Sequence, residues 1–174
     1  SHGIISDPAK MLVRPAVEIW NYQQTHLGFN YRMTDIQGAL GVSQMTRLEE
    51  FVAGRWAIAR RYDAEFKDLP LLTPWQHPDS QSSYHLYPIR LRLNEIRQTQ
   101  PQIYEALRSQ GILVNLHYIP VYRQPYYEKM GFTQGYCPQA ERFHQEAISL
   151  PMYPSMTEAQ QGRVISVVQK VLKV

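Results

Sequence analysis

The sequence predicts an α/β fold, a helical hairpin followed by a small layer in which strands alternate with helices. Three observations carry this expectation. Hydroxyl-x-x-Gln boxes stand at Thr34-Asp35-Ile36-Gln37, Thr99-Gln100-Pro101-Gln102 and Thr157-Glu158-Ala159-Gln160. Each marks a helix start, because the threonine oxygen caps the amide three residues on while the glutamine side chain reaches back. Residues 84–93 alternate, with Tyr87, Ile89 and Leu91 on one side and Leu86, Pro88 and Arg90 on the other, the period of a strand. From Tyr84 onward strand-like and helix-like segments take turns to the C-terminus, the order of an α/β layer with helices on one face.

Taken in order, residues 11–33 lack helical periodicity and read as loop with short extended pieces. The first capping box opens a helix whose apolar positions Ile36, Leu40, Val42 and Leu48 run to about residue 48. A second helix spans about 49–68 on Phe51, Trp56, Ile58, Ala59, Tyr62 and Phe66, with Gly54 inside it as a weak point. Pro70 and Pro74 end it, since proline disfavours helix at the residue before it. The strand at 84–93 contains Pro88, which points to a sheet edge or a strand start. The Thr99 box opens a helix to about Gln110, closed by Gly111. Residues 112–115 read as a short buried strand, 125–129 as a short helix stopped by Gly131, and 138–147 as another helix. Residues 148–154 are extended. The last helix follows the Thr157 box on Val164, Val167, Val168 and Val171, with Lys170 and Lys173 favourably placed in its last turn.

At 174 residues the chain is about one domain's worth. With 44% hydrophobic and 19% charged residues it has a globular rather than a disordered balance. No apolar run approaches the ~20 residues of a membrane span. The lone Cys137 excludes an internal disulfide framework and a cysteine-rich zinc site, and suits a cytoplasmic setting. The formal charge of +3 comes from scattered arginines without a basic block, which argues against nucleic acid. Twelve tyrosines against five phenylalanines favour interfaces and polar pockets. The start at Ser1-His2-Gly3 lacks an initiator methionine and a signal peptide, and reads as a cloning scar or as the interior of a longer chain.

Three stretches can carry chemistry. In residues 27–37, Asn30, Tyr31 and Arg32 stand just ahead of a helix N-terminus, where unpaired amides and the helix dipole favour an anion. The alternative is a capped loop with Arg32 paired to Asp35. In residues 116–122, His117, Tyr118 and Tyr122 follow a strand end, where α/β sheets place ligands. The alternative is a half-buried histidine in a loop stiffened by Pro120. His85 enters its strand from a polar loop and is more often a structural residue there. No histidine spacing suits a metal. Glycine loops for phosphates, the Gly-x-Ser-x-Gly elbow and a base for Cys137 are all missing.

The order of these motifs resembles a known family. Ser1-His2-Gly3, the run Leu27-Gly28-Phe29-Asn30-Tyr31-Arg32-Met33-Thr34-Asp35-Ile36-Gln37, His85-Leu86-Tyr87-Pro88-Ile89, Gly111 to Pro120 and Ser149-Leu150-Pro151-Met152-Tyr153-Pro154 together are similar to the C-terminal part of the DegT/DnrJ/StrS-type nucleotide-sugar aminotransferases. Residues 114–127 look like the pseudaminic-acid branch of that family. The resemblance implies the C-terminal portion of a fold-type I transferase dependent on pyridoxal 5'-phosphate (PLP). In such an enzyme PLP is held as a Schiff base on a lysine and takes an amino group from a donor, usually glutamate. It passes that group to the 4-keto carbon of a UDP-linked deoxysugar.

The same resemblance assigns residues and partners. Asn30 and Arg32 fall to the cofactor phosphate; Tyr31, His85, His117 and Tyr118 fall to the substrate side. Residues 1–33 would end the large PLP-binding domain and form the cofactor loop, 34–70 would be the linking hairpin, and 71–174 the small C-terminal domain. The active site would be shared across a homodimer. The cofactor lysine would lie upstream of Ser1, since none of Lys10, Lys67, Lys129, Lys170 and Lys173 matches it. The chain is then expected to be inactive without the N-terminal portion, and its helical hairpin to expose apolar surface. A non-catalytic nucleotide-sugar-binding module is the competing expectation.

Overall fold

The structure, a computed structural model, describes residues 2–5, 7–11 and 23–172. The chain divides into two compact units, Ser1–Arg47 and Leu48–Val174.

In the first unit β1 (Ile4–Ile5) and β2 (Gln23–Gln24) pair antiparallel, Ile4 opposite Gln24 and Ile5 opposite Gln23. Gly3 precedes β1 with φ +74°, and a Cβ there would overlap the His26 carbonyl. Only glycine lets the two backbones come this close. Thr25 N–H donates to the Gly3 carbonyl at 2.9 Å, which closes the ladder. Residues 12–22, expected as loop, lie outside the described residues. The expected helix follows as α1 (Asp35–Met45), with Thr34 and Gln37 forming both halves of the capping box. It buries none of its residues.

The second unit holds the apolar core. Helix α2 (Leu48–Phe66) buries Ile58, Ala59, Tyr62 and Phe66 along one stripe. Gly54 does not break it. The Pro154 backbone passes so closely that a Cβ would lie 3.1 Å from its carbonyl oxygen. A sheet of three antiparallel strands follows, in the order β3 (Leu71–Leu72), β4 (Tyr87–Leu91), β5 (Ala147–Leu150). Tyr87, Ile89 and Leu91 turn inward, as their alternation requires, and join Tyr62 and Phe66 of α2. Ile103 and Leu107 of α3 (Gln100–Ser109) and Val164 and Val168 of α6 (Glu158–Leu172) complete this core. Each such side chain contributes roughly 1.5–3 kcal/mol by leaving water.

Helix α3 has its expected capping box at Thr99. It closes on Gly111 at φ +78°, with Gly111 N–H donating to the Arg108 carbonyl and Ile112 N–H to that of Leu107. These paired bonds are the Schellman closure that glycine permits. The Thr157 box opens α6 in the same way.

Four expectations need correction. Residues 112–115 form no strand: Asn115 alone pairs, in one bridge with Ser149. Ile112 and Val114 are buried while Leu113 is 71% exposed, so the apolar run covers two faces rather than one buried strand. Strand β3 was hidden by its flanking prolines. Of the two readings of Pro88, the strand start fits and the sheet edge does not: Pro88 is the second residue of the central strand β4, and β3 reaches only Arg90 and Leu91, so on that side no strand lies opposite it. Finally, helices cover both faces. Arg90, on the face opposite Ile89, lies 5.9 Å from the Phe143 ring and bonds Glu146, both on α5 (Pro138–Glu146).

Candidate functional site

Within the first unit, Asn30, Tyr31 and Arg32 lie on an irregular segment ahead of α1, where Tyr31 N–H donates to the Phe29 carbonyl at 2.9 Å in a tight turn around Asn30, and all three are exposed. Phe29 and Tyr31 stack at 5.4 Å, which stiffens this segment. The capping box claims two backbone donors: Thr34 N–H gives to Gln37 Oε1 at 2.9 Å, and Gln37 N–H to the Thr34 hydroxyl at 3.3 Å. The amides of Asp35 and Ile36 remain as the helix-end donors. Arg32 and Asp35 make no ion pair among the described residues. The Asn30 amide and the Arg32 guanidinium thus stand exposed on the residues that lead into α1, whose N-terminus is the positive end of its dipole. That donor set fits a phosphate.

Within the second unit the other three candidates gather around residues 149–152. His117 is half-buried, with Nδ1 2.9 Å from the Ser149 hydroxyl and Nε2 3.4 Å from the Asn115 side-chain nitrogen. Tyr118 meets the His117 ring edge-on at 4.6 Å and is 70% exposed. His85 is exposed, and its backbone is pinned by Arg55. Nη1 of Arg55 donates to the carbonyls of Tyr84 at 3.0 Å, His85 at 3.2 Å and Met152 at 3.4 Å. Tyr84, at φ +47°, is held in this turn by burial against Trp56, whose ring it meets edge-on at 5.3 Å.

A second support lies further along. The Tyr122 hydroxyl donates to Glu141 Oε1 at 2.6 Å, and Gly135 N–H donates to the same oxygen at 2.7 Å. Burial first, and the Glu141 bond second, raise the phenol above its ordinary pKa. The same bond lowers Glu141, helped by the Gly135 amide. Tyr122 is therefore committed to its loop. Among the described residues no three His, Cys, Asp or Glu side chains converge as metal ligands do, and no helix is long and apolar enough to cross a membrane.

Sequence reading named the six candidates but missed Arg55, Asn115, Ser149 and Glu141. An arginine inside an amphipathic helix and a serine inside an apolar strand are unremarkable by position. Only the tertiary approach of 84–85, 117 and 152 gives them their bonds.

Residues 5–169 match the DegT/DnrJ/EryC1/StrS aminotransferase family. The chain is 32% identical to the UDP-4-amino-4,6-dideoxy-N-acetyl-beta-L-altrosamine transaminase of Campylobacter jejuni, over 90% of its own length and 39% of that protein's. Its backbone superposes on Helicobacter pylori PseC, an aminotransferase involved in the biosynthesis of pseudoaminic acid, with a TM-score of 0.81. Identity there is 30%, over 99% of this chain and 43% of that one. The Streptococcus pneumoniae protein Spr1654 in its PMP form gives a TM-score of 0.82 at 28% identity, over 98% of this chain and 42% of that one. It is also solved in a PLP form. The chain spans about two-fifths of the length of the relatives it matches. Pyridoxal phosphate is the cofactor of such enzymes, and the fold is α/β as the alternating elements require. On the match across residues 5–169 and the shared backbone, this chain belongs to the DegT/DnrJ/EryC1/StrS aminotransferase family.

Proposed function

We propose that the chain forms the C-terminal part of a PLP-dependent aminotransferase. That enzyme moves an amino group from an amino acid, glutamate by preference, to the 4-keto carbon of a UDP-linked deoxysugar. The observation that carries this reading is the pair of exposed donors, Asn30 and Arg32, beside the start of α1 in a chain of this family. PLP, when bound, supplies the electron sink for amino-group transfer. The chain's own residues bind and orient. Asn30 gives an amide N–H to the cofactor phosphate, and Arg32 adds a charge-assisted bond or two to the same group. Tyr31, stacked on Phe29, forms the wall beside it. His85, His117 and Tyr118 meet the sugar nucleotide, their backbones fixed through Arg55 and the Asn115–Ser149 bridge. The cofactor lysine lies outside this chain, so the chain alone is inactive. Exposed Ile36, Leu40, Val42 and Met45 of α1 support burial against another surface, that of a second copy in a homodimer.

The test joins this chain to the N-terminal part of its enzyme and supplies PLP, glutamate and a UDP-4-keto-6-deoxy-N-acetylhexosamine. Amination by the joined enzyme and none by the chain alone is expected. A joined enzyme that is soluble yet never takes up PLP contradicts the reading.

A further inference from the structure

The hydrogen bonds around His117 have a direction that the functional assignment does not use. The Asn115 side chain is oriented by its own backbone neighbour: Leu116 N–H donates to Asn115 Oδ1 at 2.8 Å. With its oxygen so engaged, Asn115 turns its NH2 group toward His117 Nε2, 3.4 Å away. An amide NH2 only donates, so Nε2 must be the unprotonated nitrogen of the ring. The proton then sits on Nδ1 and is given to the Ser149 hydroxyl at 2.9 Å. Serine alone would not decide this, because its hydroxyl both donates and accepts. The frame is stiff: Ser149 is buried, and Asn115 and Ser149 exchange backbone bonds of 2.8 and 3.2 Å.

We infer that Asn115 and Ser149 are positioning residues that hold neutral His117 in its Nδ1–H tautomer, the reverse of the form free histidine favours, and so make Nε2 a hydrogen-bond acceptor. The consequence for a ligand rests on the sugar-nucleotide reading above. A hydroxyl or an N–H of the sugar or base takes over the single lone pair at Nε2 from the exposed Asn115 amide, and as a donor it keeps Nε2 unprotonated in its turn. Nε2 does not bind a phosphate oxygen, which would need a donor.

The tautomer can be read without any ligand. The full chain is labelled with 15N-histidine and studied by long-range proton–nitrogen correlation, well above the ordinary imidazole pKa of about 6.5. His117 is assigned from the signals lost in His117→Gln. The expected spectrum has a pyrrole-type Nδ1 and a pyridine-type Nε2. Asn115→Asp keeps the shape and the acceptor for Leu116 N–H but replaces the donor facing Nε2 by an acceptor. The two nitrogens should then exchange types. A pyridine-type Nδ1 in the unaltered chain, or identical spectra for the chain and Asn115→Asp, overturns the inference. Because neither sample contains a sugar nucleotide, failure here leaves the aminotransferase reading standing. Failure of the joined enzyme to bind UDP-sugar leaves the tautomer standing.

Discussion

Gly3 shows how much one residue decides. Its left-handed backbone and its overlap with the His26 carbonyl leave no room for a side chain. Gly3→Ala should cost more than about 1–2 kcal/mol locally. It should strip amide-exchange protection from Thr25, whose N–H bonds the Gly3 carbonyl; unchanged protection would show that the contact is not needed. Glu146 is the electrostatic counterpart. Its desolvation works against the charge, but bonds from Arg142 and Arg90 outweigh it and leave the carboxyl below its ordinary pKa. A lowered value means stability that is complete above the ordinary carboxylate pKa and lost as pH falls through the lowered one. The chain should therefore unfold at lower temperature on acidification from about pH 5 to 3. Glu146→Gln should be less stable at neutral pH and flatter over that acid window. Parallel curves for the two proteins would show that Glu146 does not carry this dependence.

Among the elements, α3 rests on its ends. Thr99 and Gln102 form both halves of the box, and Gly111 closes the helix. Thr99→Ala should lower stability by about 1 kcal/mol, read as a shift in urea midpoint with unchanged slope, and Thr99→Ser should restore most of it. All three boxes were legible in the sequence because capping is local chemistry. So was the inward face of β4, since Tyr87, Ile89 and Leu91 alternate with more polar residues. What was not legible depends on neighbours far along the chain. β3 is two residues between prolines and exists only because β4 pairs with it. Residues 112–115 carry a strand's composition, yet only Asn115 finds a partner strand. Pro88 signals an edge or a strand start; it stands near the start of β4, and the shortness of β3 leaves that part of a central strand open on one side. The side chains that position His85 and His117 were hidden for the same reason: Arg55 reaches carbonyls 29 to 97 residues away.

For the molecule as a whole, the contrast is between a second unit with a closed apolar core and a first unit whose described residues from Leu27 to Met45 keep their large apolar side chains in water. Leu27, Phe29, Tyr31, Met33, Ile36 and Leu40 are each more than 60% exposed. A band of this kind marks an interaction surface. The isolated chain should therefore self-associate, and light scattering should report species above the 20.3 kDa of one chain. A clean monomer at high concentration would count against burial of this band by a second copy. The candidate residues were legible as types, and the motif order pointed to a family that the profile match and the backbone likeness bear out. Their proposed roles were not legible, because donors for a phosphate are recognised by convergence in space and not by a pattern of letters.

The central claim is that Asn30 and Arg32 hold the cofactor phosphate. The most direct measurement is the PLP dissociation constant of the joined enzyme, followed by visible absorbance, for the unaltered protein and for Asn30→Ala. Loss of one bond to a charged phosphate should weaken binding about tenfold or more. An affinity unchanged by Asn30→Ala, and again by Arg32→Ala, would contradict the account and move the phosphate site elsewhere.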